Sequence, residues 1–283
     1  MGVVWHRTIH SFLDLTLAHL EADEAINNLM LGIALRLQKE PSYYRNVELV
    51  TLSDARGLVL SAVMTIPEKL ILYSPLGVDR EALGQLSNAI LDRNLHIPGV
   101  LGPKDLVEAF VDIWKRKTNC LVELDMHMRV YELREVNREV IGAGRLRVAD
   151  DGDLEFMIQG IGEFLKDASL NSVPDPEKCR EHAQRRLADQ SVYLWEHEGK
   201  PVSMAARSRP TKRGVTINLV YTPKELRGRG YATSCVAALS RQLLDEGYEF
   251  CSLFTDLSNP TSNSIYQKIG YRSLGDFDGY FFL

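Results

Sequence analysis

The strongest constraint on the fold is a stretch in which an apolar run is followed by a glycine-rich loop and then by a helical pattern. The run Ile217–Tyr221 is rich in β-prone residues, and Pro223 ends it. The helical pattern starts at Tyr231, has apolar side chains at three- and four-residue steps, and stops at Gly247. A strand, a glycine loop and a helix start in this order predict an α/β fold with an anion site at the loop.

The loop has the chemistry that an anion needs. The first backbone N–H groups of a helix have no intrahelical partner, and the helix dipole favours negative charge beside them. Gly228 and Gly230 have no Cβ, so phosphate oxygens can approach the main chain closely. Arg227 and Arg229 add guanidinium groups, which phosphate oxygens can accept in bidentate fashion. The spacing lacks the ending of a P-loop and the three spaced glycines of the dinucleotide fingerprint.

Two motifs resemble those of one known family. Arg227-x-x-Gly230-x-Ala232 resembles the pyrophosphate loop of the GNAT superfamily of acetyl-CoA-dependent N-acetyltransferases, which reads Gln/Arg-x-x-Gly-x-Gly/Ala. The segment from Asn259 to Tyr271 resembles the family's later Asn-x-x-x-x-x-x-Tyr-x-x-x-Gly-Phe/Tyr segment in both order and distance. The C-terminal half is therefore similar to a GNAT N-acetyltransferase, which implies acetyl-CoA as co-substrate and no metal.

The resemblance implies a set of site residues. In the family, the strand before the loop diverges from its neighbour after a bulge, and the pantetheine arm lies in the gap, where a main-chain N–H polarises the thioester carbonyl. The residues expected to bind acetyl-CoA are Leu219, Val220, Tyr221, Arg227, Gly228, Arg229, Gly230, Tyr231, Ala232, Thr233 and Asn259. Tyr266 matches the family's tyrosine that donates a proton to the departing coenzyme A thiolate, and it is the expected catalytic residue.

Each of these residues also has a purely structural interpretation. Residues 219–221 can be ordinary core residues of a strand, and Arg227 and Arg229 can be solvated surface charges. Asn259 precedes a proline, which suits an N-cap at the start of a helix. Tyr266 can pack within a helix beside apolar neighbours. For Asn259 the two interpretations are compatible, whereas for Tyr266 they compete.

The sequence does not assign a general base. Many relatives place a glutamate on the strand ahead of the asparagine, and Phe254 stands at that position here. Asp256 follows two residues later, but it can equally cap the turn before Asn259. Glu196 and His197, at the end of an earlier strand, are further candidates. Deprotonation through ordered water needs no single residue.

The two halves of the chain share one order of elements: helices, a hairpin, a strand, a helix, a strand, a helix and further strands. We predict an α/β (α+β) fold with tandem acetyltransferase-like (GNAT) domains, each with a mixed, mostly antiparallel central sheet flanked by helices. Residues 1–138 are the predicted degenerate domain and residues 139–283 the predicted catalytic domain. In the first half the corresponding loop, Pro75–Arg80, has one glycine and an acid, so we expect it not to hold a pyrophosphate.

Two element predictions concern the ends of the chain. Residues 10–40 show apolar side chains at helical spacing and are predicted to form one helix, which Pro41 ends. Two short strands, Arg272–Leu274 and Gly279–Leu283, are predicted to close the sheet of the second domain.

Composition narrows the class of protein. With 283 residues, 45% hydrophobic and 25% charged, the chain is typical of a globular protein of two domains. The net charge of −5 argues against non-specific nucleic-acid binding. The four cysteines have no metal-ligand spacing, and no apolar run has the length of a membrane span. We expect a cytoplasmic protein that binds neither nucleic acid nor membrane.

The resulting functional hypothesis is an N-acetyltransferase that transfers an acetyl group from acetyl-CoA to a primary amine by direct attack in a ternary complex. The acceptor is a small-molecule or peptide amine, and its pocket is expected to be built from the Glu163–Pro176 loop, the hairpin strands and the first domain. Two alternatives stay open. The first is a non-catalytic acyl-CoA-binding regulatory module, which the missing glutamate favours. The second is an acyltransferase with a longer acyl donor, because the sequence does not size the acyl pocket.

Overall fold

The computed structural model describes residues 2–168 and 174–283. The strands are β1 (Gly2–Trp5), β2 (Val47–Asp54), β3 (Gly57–Thr65), β4 (Leu70–Tyr73), β5 (Gly99–Pro103), β6 (Val122–Leu133), β7 (Arg145–Val148), β8 (Val192–His197), β9 (Lys200–Ser208), β10 (Gly214–Tyr221), β11 (Phe250–Asp256) and β12 (Arg272–Phe282). The helices are α1 (Ile9–Ala22), α2 (Glu24–Lys39), α3 (Arg80–Asp92), α4 (Lys104–Thr118), α5 (Leu154–Ala168), α6 (Pro176–Ala188), α7 (Tyr231–Asp245) and α8 (Pro260–Ile269).

The chain divides into two compact units. Unit 1 comprises Met1–Val130, Thr255–Asn259 and Ser273–Leu283, and unit 2 comprises Tyr131–Phe254 and Pro260–Arg272. These units differ from a simple division at residue 138. The last eleven residues belong to unit 1, and the end of β6 belongs to unit 2. If unit 1 is the degenerate domain and unit 2 the catalytic domain, as we propose, each domain consists of more than one segment of the chain.

In unit 2, the strand order β11-β10-β9-β8-β7 forms a mixed sheet. Neighbouring strands are antiparallel, except that β10 and β11 are parallel. Helices cover both faces. One apolar cluster, here called the α7-side core, joins Val215 and Ile217 of β10 to the buried face of α7. The other, the α5-side core, joins Leu219 and Tyr221 to α5 and α6.

Unit 1 has a sheet of the same kind, with the strand order β1-β2-β3-β4-β5-β12. Its neighbours are antiparallel except for the parallel pair β4 and β5. One buried cluster contains residues of α1 and α2, and the other contains residues of α3 and α4. Each unit therefore has the predicted mixed, mostly antiparallel sheet flanked by helices.

Short-range signals explain many element boundaries. Asp175 caps the start of α6 by accepting a hydrogen bond from the N–H of Glu177 at 3.0 Å, and Pro176 occupies the first turn. The hairpin of β2 and β3 turns where Asp54 accepts a hydrogen bond from the N–H of Arg56 at 2.7 Å. These are local contacts between residues close in sequence, which is why pattern analysis located the elements.

The two predictions about the ends of the chain are corrected. The predicted helix over residues 10–40 is two helices, because the backbone leaves the helical region at Asp23, with φ −131° and ψ 62°. A strand, β1, precedes them and pairs with β2. The two predicted C-terminal strands are one strand, β12, which lies between β5 and β6 in the strand order and pairs antiparallel with β5 in unit 1.

Among the described residues, no helix combines the length and apolarity that crossing a membrane requires. The described part of the chain also contains no group of three metal-ligating side chains that could hold a metal ion.

Candidate functional site

In unit 2, strand β10 bulges before it reaches the glycine loop. Leu219 has a φ of 49°, which is uncommon for a residue with a branched side chain. The register of β10 against β9 shifts between Asn218 and Tyr221. The pairing of β10 with β11 extends from Gly214 to Thr216, although both strands continue further. A gap between β10 and β11 therefore opens at the bulge, as the resemblance implies.

The expected ligand-binding residues of β10 line this region differently. Leu219 and Tyr221 are buried in the α5-side core, whereas Val220 is half-buried against the α7-side core. The end of the strand is held by Ser203, whose hydroxyl donates to the carbonyl of Tyr221 at 3.0 Å. The side chains of Leu219 and Tyr221 are thus core residues. A ligand arm could pair only with the main chain at the bulge.

The glycine loop presents main chain to open space. Gly228 and Gly230 have φ values of 78° and 80°, and a Cβ added to either glycine would meet no atom within 4 Å. Gly230 is the N-cap of α7, and no side chain caps this helix start. The first turn, which contains Tyr231, Ala232 and Thr233, has no acidic residue. Its N–H groups consequently keep the capacity to bind an anion.

The two arginines of the loop have different surroundings. Arg227 is exposed, but its Nε donates to the carbonyl of Thr222 at 3.1 Å, so this side chain braces the loop. Arg229 is exposed, and its guanidinium lies 3.4 Å from the carbonyl of Glu225. The main chain, rather than a guanidinium cage, is therefore the dominant feature of the loop.

The corresponding helix start in unit 1 is closed. Helix α3 follows the loop that contains Gly77, and its N-cap is Asp79. The carboxylate of Asp79 accepts a hydrogen bond from the N–H of Ala82 at 3.0 Å. A negative charge of the chain itself thus occupies the position where an external anion would bind.

Three tyrosines pack together in unit 2. Tyr266 of α8 is 7% exposed, and its ring centroid lies 6.3 Å from that of Tyr131 and 5.9 Å from that of Tyr271. The hydroxyl of Tyr271 forms a hydrogen bond with that of Ser240 at 2.9 Å. Among the described residues, the hydroxyl of Tyr266 makes no hydrogen bond. Burial raises the pKa of Tyr266 to about 12, so this phenol stays protonated at neutral pH.

Tyr131 anchors helix α8 and was missed by the sequence analysis. Its hydroxyl donates to Oδ1 of Asn263 at 3.1 Å and accepts from Nε2 of Gln267 at 3.3 Å. These two partners lie four residues apart, on one face of the helix. Tyr131 is separated from Tyr266 by more than a hundred residues, so no sequence spacing indicates the contact.

The candidate bases are engaged in other contacts. Asp256 accepts a hydrogen bond from the N–H of Ser258 at 2.7 Å, which is the turn-capping role that the sequence left open. Glu196 pairs with Arg145 at 2.7 Å and with Arg147 at 2.8 Å. Hydrogen bonds from these arginines lower the pKa of Glu196. His197 lies 3.0 Å from the carbonyl of Ala143 through its Nδ1.

The two remaining predictions concern Asn259 and the acceptor loop. Asn259 is the last residue of the segment Thr255–Asn259 of unit 1, and its N–H donates to the carbonyl of Asp256 at 3.2 Å. Its contact with a ligand arm stays a prediction. Of the predicted acceptor loop Glu163–Pro176, residues 163–168 form the end of α5, and residues 169–173 lie outside the described residues.

Comparison with known proteins identifies the fold. Over nearly the full length of both chains, the structure resembles a GCN5-related N-acetyltransferase from Sphaerobacter thermophilus, with a TM-score of 0.63, 14% sequence identity, and 98% and 94% of the two chains covered. The chain has the GNAT acetyltransferase fold. A GNAT-family acetyltransferase from Colwellia psychrerythraea has a TM-score of 0.60 at 12% identity, with 100% of both chains covered.

Two copies of the GNAT architecture in one chain also have a solved counterpart. A tandem GNAT protein from the clavulanic acid biosynthesis pathway has a TM-score of 0.58 at 11% identity. The alignment covers 99% of this chain and 98% of that protein. In sequence, residues 197–280 match the family model described as FR47-like protein. No curated protein sequence matches the chain. At these identities the structures show the fold alone.

Proposed function

We propose that the protein transfers an acetyl group from acetyl-CoA to a primary amine by direct attack within a ternary complex. The observation that carries this proposal is the combination, in unit 2, of the bulge at Leu219 with the open glycine loop before α7. A gap beside a strand suits an extended arm with amide groups, and an uncapped helix start suits a pyrophosphate.

The residues of the loop fit a pyrophosphate. The space around Gly228 and Gly230 is open, and the first turn of α7 carries neither a capping side chain nor an acid. In unit 1, Asp79 already supplies the negative charge at the start of α3. We therefore propose that coenzyme A binds once per chain, at residues 227–233, with the main chain of residues 219–221 beside its arm.

Tyr266 is the proposed general acid. In the reaction, the amine nitrogen forms a bond to the acetyl carbon, the carbon–sulfur bond breaks, and the sulfur leaves as a thiolate that takes a proton. Tyr266 can supply that proton or a hydrogen bond to the sulfur, because its raised pKa keeps the phenol protonated and its hydroxyl has no partner among the described residues. The nitrogen loses its proton, and the products are an N-acetyl amide and coenzyme A.

The proton of the amine is proposed to leave through ordered water. Asp256 caps a turn, and Glu196 is held by two arginines that lower its pKa, so both carboxylates are engaged in other contacts. Phe254 stands where relatives have a glutamate. A water-mediated route predicts that the rate rises with pH as the amine of the acceptor is deprotonated.

The test is release of coenzyme A thiol from acetyl-CoA with a panel of primary amines: benzylamine, spermidine, glycinamide and a lysine-containing peptide. The expected result is amine-dependent thiol release together with formation of the N-acetyl product. Binding of coenzyme A without turnover of any amine would instead favour the regulatory-module hypothesis. Faster turnover with butyryl-CoA than with acetyl-CoA would favour a longer acyl donor.

A further inference from the structure

Asn218 is a polar residue in an otherwise apolar stretch of β10. Its Oδ1 atom is buried and has no hydrogen-bond partner among the described residues. An unpaired buried acceptor costs roughly 1–3 kcal/mol of stability, so it is uncommon unless something else satisfies it. The sequence analysis did not single out this residue, although an asparagine between Ile217 and Leu219 was a visible signal.

Asn218 lies at the start of the bulge in β10. The pairing of β10 with β11 ends at Thr216, and the register shift against β9 begins at Asn218. Asn218 is therefore the first side chain on its face of the sheet beyond the last paired residue. Thr216, two residues earlier on that face, has its hydroxyl 3.1 Å from that of Ser252 and is satisfied.

The side chain of Asn218 faces the α5 side of the sheet. Ile217 belongs to the α7-side core, and successive side chains of a strand point to opposite faces. Leu219 belongs to the α5-side core, as expected when a bulge places two consecutive side chains on one side. On the α7 side, the half-buried Val220 packs against the α7-side core.

We propose that the carboxamide of Asn218 binds the primary amine of the acceptor, with Oδ1 accepting an N–H of the attacking nitrogen. This inference rests on the proposed function. A nucleophile adds to a carbonyl carbon from above or below the carbonyl plane. If the thioester carbonyl lies in the plane of the sheet, the amine must come from one of its faces. Val220 packs on the α7 side, whereas the α5 side presents the unpaired Oδ1 of Asn218, so the amine comes from the side that Asn218 faces.

The carboxamide then determines specificity as well as position. A primary amine can donate one N–H to the buried Oδ1 and lose another proton in the reaction. An alcohol or thiol of the same shape has only one O–H or S–H hydrogen, which it loses on attack. Amides of the pantetheine arm lie in the plane of the sheet and pair with main chain, so they are not the expected partners of this side chain. The proposed ligand class is an unhindered primary amine.

The variants that test this are Asn218→Leu and, as a matched control on the same face, Thr216→Val. With the amine of the panel that is acetylated fastest, we expect Asn218→Leu to lower kcat/KM for the amine about five- to tenfold, the size of one hydrogen bond. The dissociation constant of coenzyme A, measured by calorimetry, should change by less than about threefold.

The control separates binding from structure. Without ligands, Asn218→Leu removes an unpaired buried acceptor, so its thermal midpoint should be equal to or higher than that of the unmodified protein. Thr216→Val removes a satisfied hydrogen bond, so it should lower the midpoint and leave kcat/KM for the amine unchanged.

Three outcomes overturn the inference and leave the proposed function standing. Unchanged amine kinetics in Asn218→Leu would show that the carboxamide does not contact the acceptor. A lowered midpoint, as in the control, would make Asn218 a structural residue, and weakened coenzyme A binding would assign it to the pantetheine arm. If the unmodified protein acetylates no amine of the panel, the proposed function fails first, and this inference fails with it.

Discussion

The contrast between the two helix starts yields the sharpest prediction. Gly230 in unit 2 and Gly77 in unit 1 have φ values of 80° and 78°, and a Cβ at either position would meet no atom within 4 Å. Replacing either glycine by valine places a β-branched residue in the left-handed region. This strain costs about 1–3 kcal/mol of the free energy of unfolding. Because the two φ values match, Gly230→Val and Gly77→Val should be destabilised by similar amounts, which urea denaturation measures.

Binding of coenzyme A should distinguish the two variants. A valine at position 230 fills space at the uncapped start of α7 and keeps a phosphate from at least one main-chain N–H. A hydrogen bond to a charged group contributes about 1.5–3 kcal/mol, so affinity should fall about ten- to hundredfold. Gly77→Val should leave the affinity unchanged, because Asp79 already closes that helix start.

Calorimetry with coenzyme A is the assay, carried out on both variants and on the unmodified protein. The reasoning is refuted if Gly230→Val binds coenzyme A as tightly as the unmodified protein, since the pyrophosphate would then lie elsewhere. An equal loss in Gly77→Val, or two equivalent sites in the unmodified protein, would show that unit 1 also holds the ligand.

Three further predictions follow from unit 2. Tyr266→Phe should bind acetyl-CoA normally but lose about a hundredfold or more in kcat. Tyr131→Phe should lower kcat less, and it should have no further effect on kcat when Tyr266→Phe is already present. Equal effects of Tyr131→Phe with and without Tyr266→Phe would make Tyr131 purely structural. Burial acts to raise the pKa of Asp153, but hydrogen bonds from Arg147 outweigh it and lower the pKa. The stability from this pair is thus present above about pH 4 and lost as the pH falls. Arg147→Met should cost about 1.5–3 kcal/mol of the free energy of unfolding in urea denaturation at pH 7, and a negligible change would count against the pair. A fragment of residues 140–283 should fail to fold by circular dichroism, because its core lacks Tyr131; a native-like spectrum would contradict this.

Local chemistry explains what could be predicted from the sequence. The start of α7 at Gly230, the N-cap at Asp79 and the turn at Asp256 each depend on residues a few positions apart. Backbone conformation at a glycine, and a side chain that reaches the next N–H groups, are properties of a short segment. For this reason the glycine loop and the closed loop of unit 1 were both visible in the order of residues.

Pairing partners could not be predicted in this way. The apolar pattern of residues 272–282 indicates a strand but not its neighbour, and only the register of β12 against β5 assigns it to unit 1. The same holds for Asp23, where a helical pattern continues through a break in the backbone. Strand pairing depends on contacts between distant segments, which periodicity does not encode.

The candidate site also combines features that depend on nearby residues with features that depend on distant segments. The sequence alone determined the glycine loop, the apolar strand before it and Tyr266, because each belongs to a motif of fixed spacing. Only the tertiary structure decided that β10 leaves β11 after Thr216, that Tyr131 packs against Tyr266, and that Oδ1 of Asn218 is buried without a hydrogen-bond partner among the described residues. Those features depend on which distant segments fill the space around a residue, and burial is a property of the folded chain as a whole.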